Sequence, residues 1–246
     1  LFFALGAFLA VFFISTDFTT TAKGFVAIAD GPTKGVWSFT VEAIRLGVAV
    51  FVSYGVVRAL IAAGLVPRAM VESTYVAPFK DFFSRYGRTA LLIIALISTY
   101  RIADVVMGVM ANVFYVDIGF EKQEIGRITK GFGLIMTIVG GFFGGILTIR
   151  FGVMRILFLG AVLAAATNLL FAVMVGMGND IRMLIAVISA DNLSAGIASA
   201  AFVAYLAGLT NSTFTATQYA LFSSIMLLLP KLLAGYSGVV VETVGY

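Results

Sequence analysis

The 246 residues of this chain are 61% hydrophobic and only 11% charged, whereas an average soluble domain carries about 25% charged residues. A soluble core of this size could not bury so much apolar surface, so the composition predicts an all-α, polytopic membrane protein. The net charge of +4 comes from scattered basic residues and does not indicate nucleic-acid binding. Because the sequence has neither Cys nor His, it excludes thiolate and His-dependent catalysis; we expect no enzyme activity, cofactor or metal site.

The first 89 residues are predicted to precede the main bundle. Residues 1–14 resemble the end of a truncated span, and residues 15–89 read as a central loop that contains a helix at 40–66. Glu42, Arg45 and Ala49 share one face of this helix, and Arg58 interrupts its apolar run. This pattern favours a helix lying at the membrane interface, although a spanning helix stays open. Because the chain begins inside an apolar run without a basic leader, we expect a C-terminal-half fragment of a longer protein.

Five apolar stretches are long enough to cross the ~30 Å hydrocarbon core, and together they predict a C-terminal transmembrane bundle over residues 90–246. The basic connector 67–88 and the basic turn 150–155 are predicted to be cytoplasmic, which places the loops 117–124 and 177–182 outside. The loop 208–216 has no charge and does not orient the chain. The predicted spans are 90–116, 126–149, 153–176, 183–208 and 216–240.

Two oppositely charged residues lie inside the first of these spans. Arg101 and Asp104 are three residues apart and therefore share a helix face on which they can pair. A charge near the middle of a span costs roughly 2.5–3.5 kcal/mol on insertion scales, so such residues usually mark an ion or substrate path. Burial and the guanidinium act in opposite directions on the titration of Asp104. Asp104 is therefore the preferred proton-coupling candidate, and a structural pair that never titrates is the alternative.

The turn between the second and third spans resembles the conserved inter-helix loop of the major facilitator superfamily. Its pattern is Gly-x-x-x-Asp-Arg-x-Gly-Arg-Arg, and Gly145, Arg150, Gly152 and Arg155 match it, whereas Ile149 replaces the Asp. In that superfamily the loop recurs between the second and third helices of each half. The resemblance therefore implies that the spans 90–116 and 216–240 are the seventh and eleventh helices of a facilitator, and that the fold is its second half.

Further segments are similar to the AmpG muropeptide permease family: residues 77–85 (APFKDFFSR), 100–104 (YRIAD), 130–134 (KGFGL), and several between 191 and 221, of which ATQYAL is the most specific. This resemblance covers about residues 76–246. It implies proton-driven import of anhydro-muropeptides (GlcNAc-anhydroMurNAc peptides) across the bacterial inner membrane for cell-wall recycling and, in some bacteria, β-lactamase induction. The expected partners are the muropeptide, protons, the lipid bilayer and the missing N-terminal half.

The resemblance gives roles to further polar residues in or near the spans. Asp191 is a second proton-coupling candidate or, with Asn192, a substrate ligand, and hydrogen bonding to a neighbouring helix is the alternative for Asp191. Three rivals stay open: a facilitator with another cargo, a membrane-embedded enzyme in which Asp104 and Asp191 converge, and a non-transporting receptor. The substrate-binding candidates are Arg101, Lys130, Asn192, Gln218, Tyr219 and Lys231; snorkelling is the alternative for Lys130, and packing or interfacial anchoring for Tyr219.

Overall fold

The computed structural model describes residues 2–15 and 32–244, and regular structure within these ranges is helical throughout. Residues 16–31 of the central loop predicted at 15–89 lie outside them, and most of the rest of that segment is helical. In chain order the helices are α1 (Phe2–Ile14), α2 (Pro32–Ala62), α3 (Arg68–Val71), α4 (Ala77–Tyr86), α5 (Thr89–Thr99), α6 (Ile102–Asp117), α7 (Lys122–Ile128), α8 (Leu134–Phe151), α9 (Val153–Met177), α10 (Ile181–Leu209) and α11 (Thr215–Val244), with π-helical turns at Glu72–Val76 and Thr129–Gly133.

Six helical stretches among the described residues are long and apolar enough to cross a membrane. This confirms the prediction of an all-α, polytopic membrane protein. One of them, Thr40–Ala62, falls where the sequence left a choice between an interfacial and a spanning helix, and the interfacial placement stays a prediction. The other five are Thr89–Asp117, Lys122–Phe151, Val153–Met177, Ile181–Leu209 and Thr215–Gly235.

The chain forms two compact units, one of residues 1–81 with 235–246 and one of residues 82–234. In the first unit α1 packs against α2. Arg45 donates hydrogen bonds to Ser15 Oγ at 2.8 Å and to the Phe12 carbonyl, and pairs with Glu42 at 3.1 Å. Ala49 is fully buried. The polar face expected to lie at the interface thus packs on the last turn of α1, where a cation is favourable beside free helix carbonyls.

In the second unit α10 is the central helix, and α8 and α9 both pack against it. Its two ends lie in different apolar clusters. One cluster is built around Phe82, Phe202 and Phe222, and the other around Phe171 and Leu184. The polar residues of α10 lie between these two clusters along the chain, so the centre of the span is more polar than its ends.

Close approach of α8 to α10 depends on three glycines. A Cβ added at Gly144 would lie 2.7 Å from Ile197 Cα, and one at Gly140 would collide with the Leu193 carbonyl. Gly196 approaches α8 equally closely from the opposite side. Both Gly140–Gly144 and Gly141–Gly145 have the GxxxG spacing that lets helices approach, but a Cβ at Gly141 or Gly145 would meet no atom within 4 Å. Only the first pair therefore forms the helix contact.

The turn between α8 and α9 consists of a single residue, Gly152. Its φ of 88° lies in the region that L side chains rarely adopt, so glycine is the residue that reverses the chain here at little cost. The basic residues of the turn, Arg150 and Arg155, are exposed. Ile149, at the position of the superfamily's Asp, is 89% exposed.

Candidate functional site

The span Thr89–Asp117 is two helices and not the continuous helix that the sequence predicted. α5 ends at Thr99, α6 begins at Ile102, and Arg101 between them has φ −97° and ψ 5°. The Tyr100 hydroxyl donates to the Leu157 carbonyl at 2.9 Å, and its ring stacks on Phe202 with centroids 4.8 Å apart. Tyr100 is thus held by α9 and α10 immediately before the break, near the middle of the span.

Arg101 and Asp104 form the ion pair that their spacing predicted, with Nε and Oδ2 3.4 Å apart. The Arg101 Nη1 also donates to the Ser199 hydroxyl on α10 at 2.6 Å. The contact with Asp104 does not have the geometry of a hydrogen bond, since Arg101 Nε is buried without a hydrogen-bond partner. The side chains of Arg101 and Asp104 are 21% and 18% exposed. The break therefore presents a partly open charge pair whose hydrogen bonding is incomplete.

Asp191 lies on α10 within electrostatic range of Asp104. It accepts a hydrogen bond from the Thr167 hydroxyl of α9 at 3.3 Å. No hydrogen bond joins the two carboxylates in the part of the chain that the structure describes. The two carboxylates thus lie in one region of the bundle, but each has its own partner: Arg101 for Asp104 and Thr167 for Asp191.

Asn192 joins α10 to the start of α8. Its Oδ1 accepts a hydrogen bond from the Thr137 hydroxyl at 3.0 Å, and its Nδ2 donates to the Ile188 carbonyl at 2.8 Å. Gly133, which ends the π-helical turn, lies against the same side chain. The polar and charged side chains that make these contacts form a set that we call the central polar layer: Arg101, Asp104, Thr137, Thr167, Asp191, Asn192 and Ser199.

Gln218 lies outside the central polar layer, in a closed junction between α4 and the start of α11. It is fully buried, and its Oε1 accepts hydrogen bonds from Arg85 at 3.1 Å and from the backbone N–H of Asn211 at 2.7 Å. Arg85 also donates to the Leu209 carbonyl at the end of α10. This environment favours a structural role for Gln218. The contact also puts the uncharged loop after α10 on the same side as Arg85 of the predicted cytoplasmic connector.

The remaining candidates lie apart from the layer. Tyr219 is half-buried and packs on the cluster around Phe82 and Phe222. Lys130 is exposed in the π-helical turn, a type of irregularity that is frequent at functional sites. Lys231 is exposed beside the buried Pro230. Of the motif residues, Arg150, Gly152 and Arg155 lie in or next to the turn between α8 and α9, and Gly145 lies within α8.

Four residues of this region were not among the candidates predicted from the sequence: the hydroxyl-bearing Thr137, Thr167 and Ser199 of the layer, and the anchor Tyr100. Polar hydroxyls within spans were the available signal, because such groups commonly link membrane helices. Ser199 also lies eight residues after Asp191, a spacing that falls on one face of a helix. No group of three or more acidic side chains among the described residues could hold a metal ion.

Comparison with known proteins identifies relatives for about two thirds of the chain. It is 34% identical over 174 residues to a protein of Rickettsia conorii named as an AmpG transporter (AmpG 4), a match that covers 71% of this chain and 42% of that protein. It is 35% identical over 161 residues to the anhydromuropeptide permease of Escherichia coli K12, covering 65% of this chain and 32% of the permease.

A third relative, named AmpG 3, from Rickettsia prowazekii, is 36% identical over 157 residues, which are 64% of this chain and 37% of that protein. No protein-family model matches the chain. The chain spans about a third to two fifths of the length of these relatives. Their names describe transporters and a permease and not enzymes. Through these matches, the chain belongs to the AmpG family of permeases.

Proposed function

We propose that this chain is the C-terminal half of a proton-driven importer of anhydro-muropeptides (GlcNAc-anhydroMurNAc peptides) in the bacterial inner membrane. The cargo follows from the name of the Escherichia coli relative, and the import would serve cell-wall recycling. The observation that carries a transport role is the charged pair of Arg101 and Asp104 at a helix break in mid-span. Charges are rare within spans and commonly mark substrate or proton pathways, and broken helices form the sites of several transporter folds.

The incomplete hydrogen bonding of Arg101 suggests how a proton and a substrate are coupled. When Asp104 is ionised, it pairs with Arg101 and occupies part of the guanidinium. Protonation of Asp104 from the outside removes that charge and leaves Arg101 held only by the Ser199 hydroxyl. Arg101 can then receive an anionic group of the substrate, and loss of the proton on the inside restores the pair and expels the substrate. The outcome is alternating access with proton and substrate bound together.

Other candidates extend the site around this pair. Asp191 is a second proton site or a ligand for a substrate amide, and Asn192 is a neutral ligand at the same level. Lys130 and Lys231 are exposed cations suited to the carboxylates of the peptide. Gln218 belongs to the buried junction with Arg85, and Tyr219 packs on the cluster around Phe82 and Phe222; neither is assigned to the substrate.

The complete transporter needs a first half that supplies the opposite wall of the cavity. Sites of this superfamily lie at the membrane midplane between two related halves. The central polar layer, with Arg101, Asp104 and Asp191, would form one wall of that cavity. The proton, the muropeptide, the bilayer and the N-terminal half are therefore the proposed partners.

The test is uptake of labelled GlcNAc-anhydroMurNAc-peptide into vesicles that contain the complete transporter, with and without an inward proton gradient. Asp104→Asn is expected to abolish gradient-driven accumulation and to retain exchange of internal for external substrate, because exchange needs no net proton movement. Asp180→Asn is the matched control: Asp180 caps α10 by accepting the Arg182 N–H at 2.8 Å, and Asn serves equally well at that position.

Removal of one partner of a partly buried pair can also impair insertion. The double variant with Arg101→Gln and Asp104→Asn removes both charges and therefore tests insertion: it should insert normally. Because it also lacks the proposed ligand for the substrate anion, it should neither accumulate nor exchange substrate, whereas Asp104→Asn alone keeps exchange. Normal accumulation by an inserted Asp104→Asn variant would show that Asp104 is structural. If the unmodified transporter takes up no muropeptide but another solute, the family fold carries a different cargo.

A further inference from the structure

A groove opens between α6 and the start of the next span, at the predicted outer end of the bundle. It has a volume of about 570 Å³, and its lining includes Asn112, Lys122 and Lys130. A second pocket beside it shares these two lysines and adds Gln123 and Arg127. Cavities of this size lie within the roughly 300–1,000 Å³ of small-molecule sites.

The basic residues of the groove are not paired with a carboxylate within its lining. Lys122, Arg127 and Lys130 are exposed and make no hydrogen bond or ion pair with any described residue, and the described lining contains no carboxylate. Two neighbouring carboxylates are engaged in the capping box of α7: the Glu124 carboxylate accepts the Glu121 backbone N–H at 3.1 Å, and the Glu121 carboxylate accepts the Glu124 backbone N–H. Three unpaired cations around one opening make a site for an anion.

Two helical elements run from the groove to the central polar layer. Asp104, Gly108 and Asn112 follow one another at intervals of four, which places them on one face of α6. Lys130 lies in the π-helical turn whose last residue, Gly133, packs against Asn192. An anionic group released from the groove therefore has a path towards Arg101 and Asp104 along a face that bears no bulky side chain at Gly108.

We infer that this groove is an entry subsite for the free carboxylates of the peptide part of the substrate, and that Lys122, Arg127 and Lys130 hold them before the substrate reaches the central polar layer. This inference rests on the proposed function. Lysine suits the task because its ammonium group is a mobile point charge that follows a flexible peptide. An anionic lipid headgroup has the same charge, so the test must separate the two sources.

The experiment measures binding of two ligands to the complete transporter in nanodiscs of neutral lipid. One ligand is GlcNAc-anhydroMurNAc-peptide with free carboxylates, and the other is the same compound with those carboxylates converted to amides. The unmodified protein should bind the free acid roughly tenfold more tightly than the amide. Lys122→Gln and Lys130→Gln should each weaken acid binding by up to about fivefold, the upper end for a solvent-exposed ion pair, and leave amide binding unchanged.

Arg182→Gln is the matched control, because Arg182 is an exposed cation at the same predicted end of the bundle but outside the lining of the groove. It should leave the preference for the acid intact. Lys130→Arg, which keeps the charge, should retain most of that preference. A second set of nanodiscs, with anionic lipid added, tests whether the same lysines bind headgroups.

Each outcome is decisive. A reduced acid preference in each lysine variant in neutral lipid, with amide binding unchanged, supports the subsite. Equal binding of acid and amide by the unmodified protein overturns it and leaves the proposed function standing. Lysine variants that keep the acid preference but lose an effect of anionic lipid also overturn it, and assign the groove to lipid. If the unmodified protein binds neither ligand, the proposed function fails and the subsite fails with it.

Discussion

The contact between α8 and α10 gives a sharp stability prediction, because adjacent glycines of one helix differ in their surroundings. A methyl group at Gly144 would lie 2.7 Å from Ile197 Cα, whereas ordinary contact begins at 3.4 Å, so the helices must separate locally by about 0.7 Å. The obstructing atoms are backbone, which cannot rotate away. A methyl group at Gly141 would meet nothing within 4 Å.

Gly144→Ala and Gly141→Ala gain the same helix propensity, about 1 kcal/mol each, so that term cancels when the two variants are compared. Overpacking of a close helix contact costs typically 1–3 kcal/mol, which should therefore be the difference between them. For a chain of this size the difference corresponds to a midpoint roughly 3–10 °C lower for Gly144→Ala.

The assay is the fraction of monodisperse protein that remains after heating in detergent, followed by size-exclusion chromatography with a fluorescent tag. Gly141→Ala should match or exceed the unmodified protein. If Gly144→Ala and Gly141→Ala have the same melting midpoint, the close approach of α8 to α10 does not limit side-chain size at Gly144, and Cβ contacts do not predict stability at this interface.

Three further predictions use the same heating assay. Arg85→Ala removes one donor to the buried Gln218 oxygen and should cost about 1 kcal/mol, whereas Arg88→Ala, which changes an exposed side chain, should cost nothing measurable. Tyr100→Phe keeps the ring stacking but removes the hydrogen bond to a carbonyl of α9, and should cost about 1 kcal/mol. Gly152→Ala forces a side chain into positive φ and should cost roughly 1–2 kcal/mol. An unchanged melting midpoint for Arg85→Ala or Tyr100→Phe would contradict the hydrogen bond assigned to that residue, and an unchanged midpoint for Gly152→Ala would contradict the requirement for glycine at this turn.

The general fold was predictable from the sequence because hydropathy and length define spans almost without tertiary information. The interruption at Tyr100 and Arg101 was not, since neither residue is a helix breaker like proline or glycine. The contacts that accompany it come from the Leu157 carbonyl and from Ser199, 57 and 98 residues away along the chain. A local pattern cannot contain such partners.

The candidate site was also predictable only in part. The pairing of Arg101 with Asp104 followed from helical spacing and is observed. The interpretation of Gln218 rested on its polarity at the start of a span, but its partner, Arg85, lies 133 residues away, so burial of its amide could not be inferred. Sequence patterns thus identified which residues are unusual in a membrane. Tertiary contacts decide which of them already have hydrogen-bond partners within the chain.

The partly open charges of the central polar layer imply that their exposed side faces water, because a charge facing lipid at mid-span costs about 2.5–3.5 kcal/mol even on insertion scales. Thiol labelling tests this directly, since the chain has no Cys of its own. Ser199→Cys in the complete transporter should react with a charged, membrane-impermeant thiol reagent, which needs a thiolate and therefore water. Leu169→Cys, at an apolar position of α9 where the residue is 69% exposed, should stay unlabelled. No labelling at Ser199→Cys would place the layer in a closed protein interface and remove the cavity on which the proposed transport mechanism depends. Equal labelling of the two positions would show that the reagent does not distinguish a water-filled cavity from the lipid-facing surface, and the inference of water at the layer would fall.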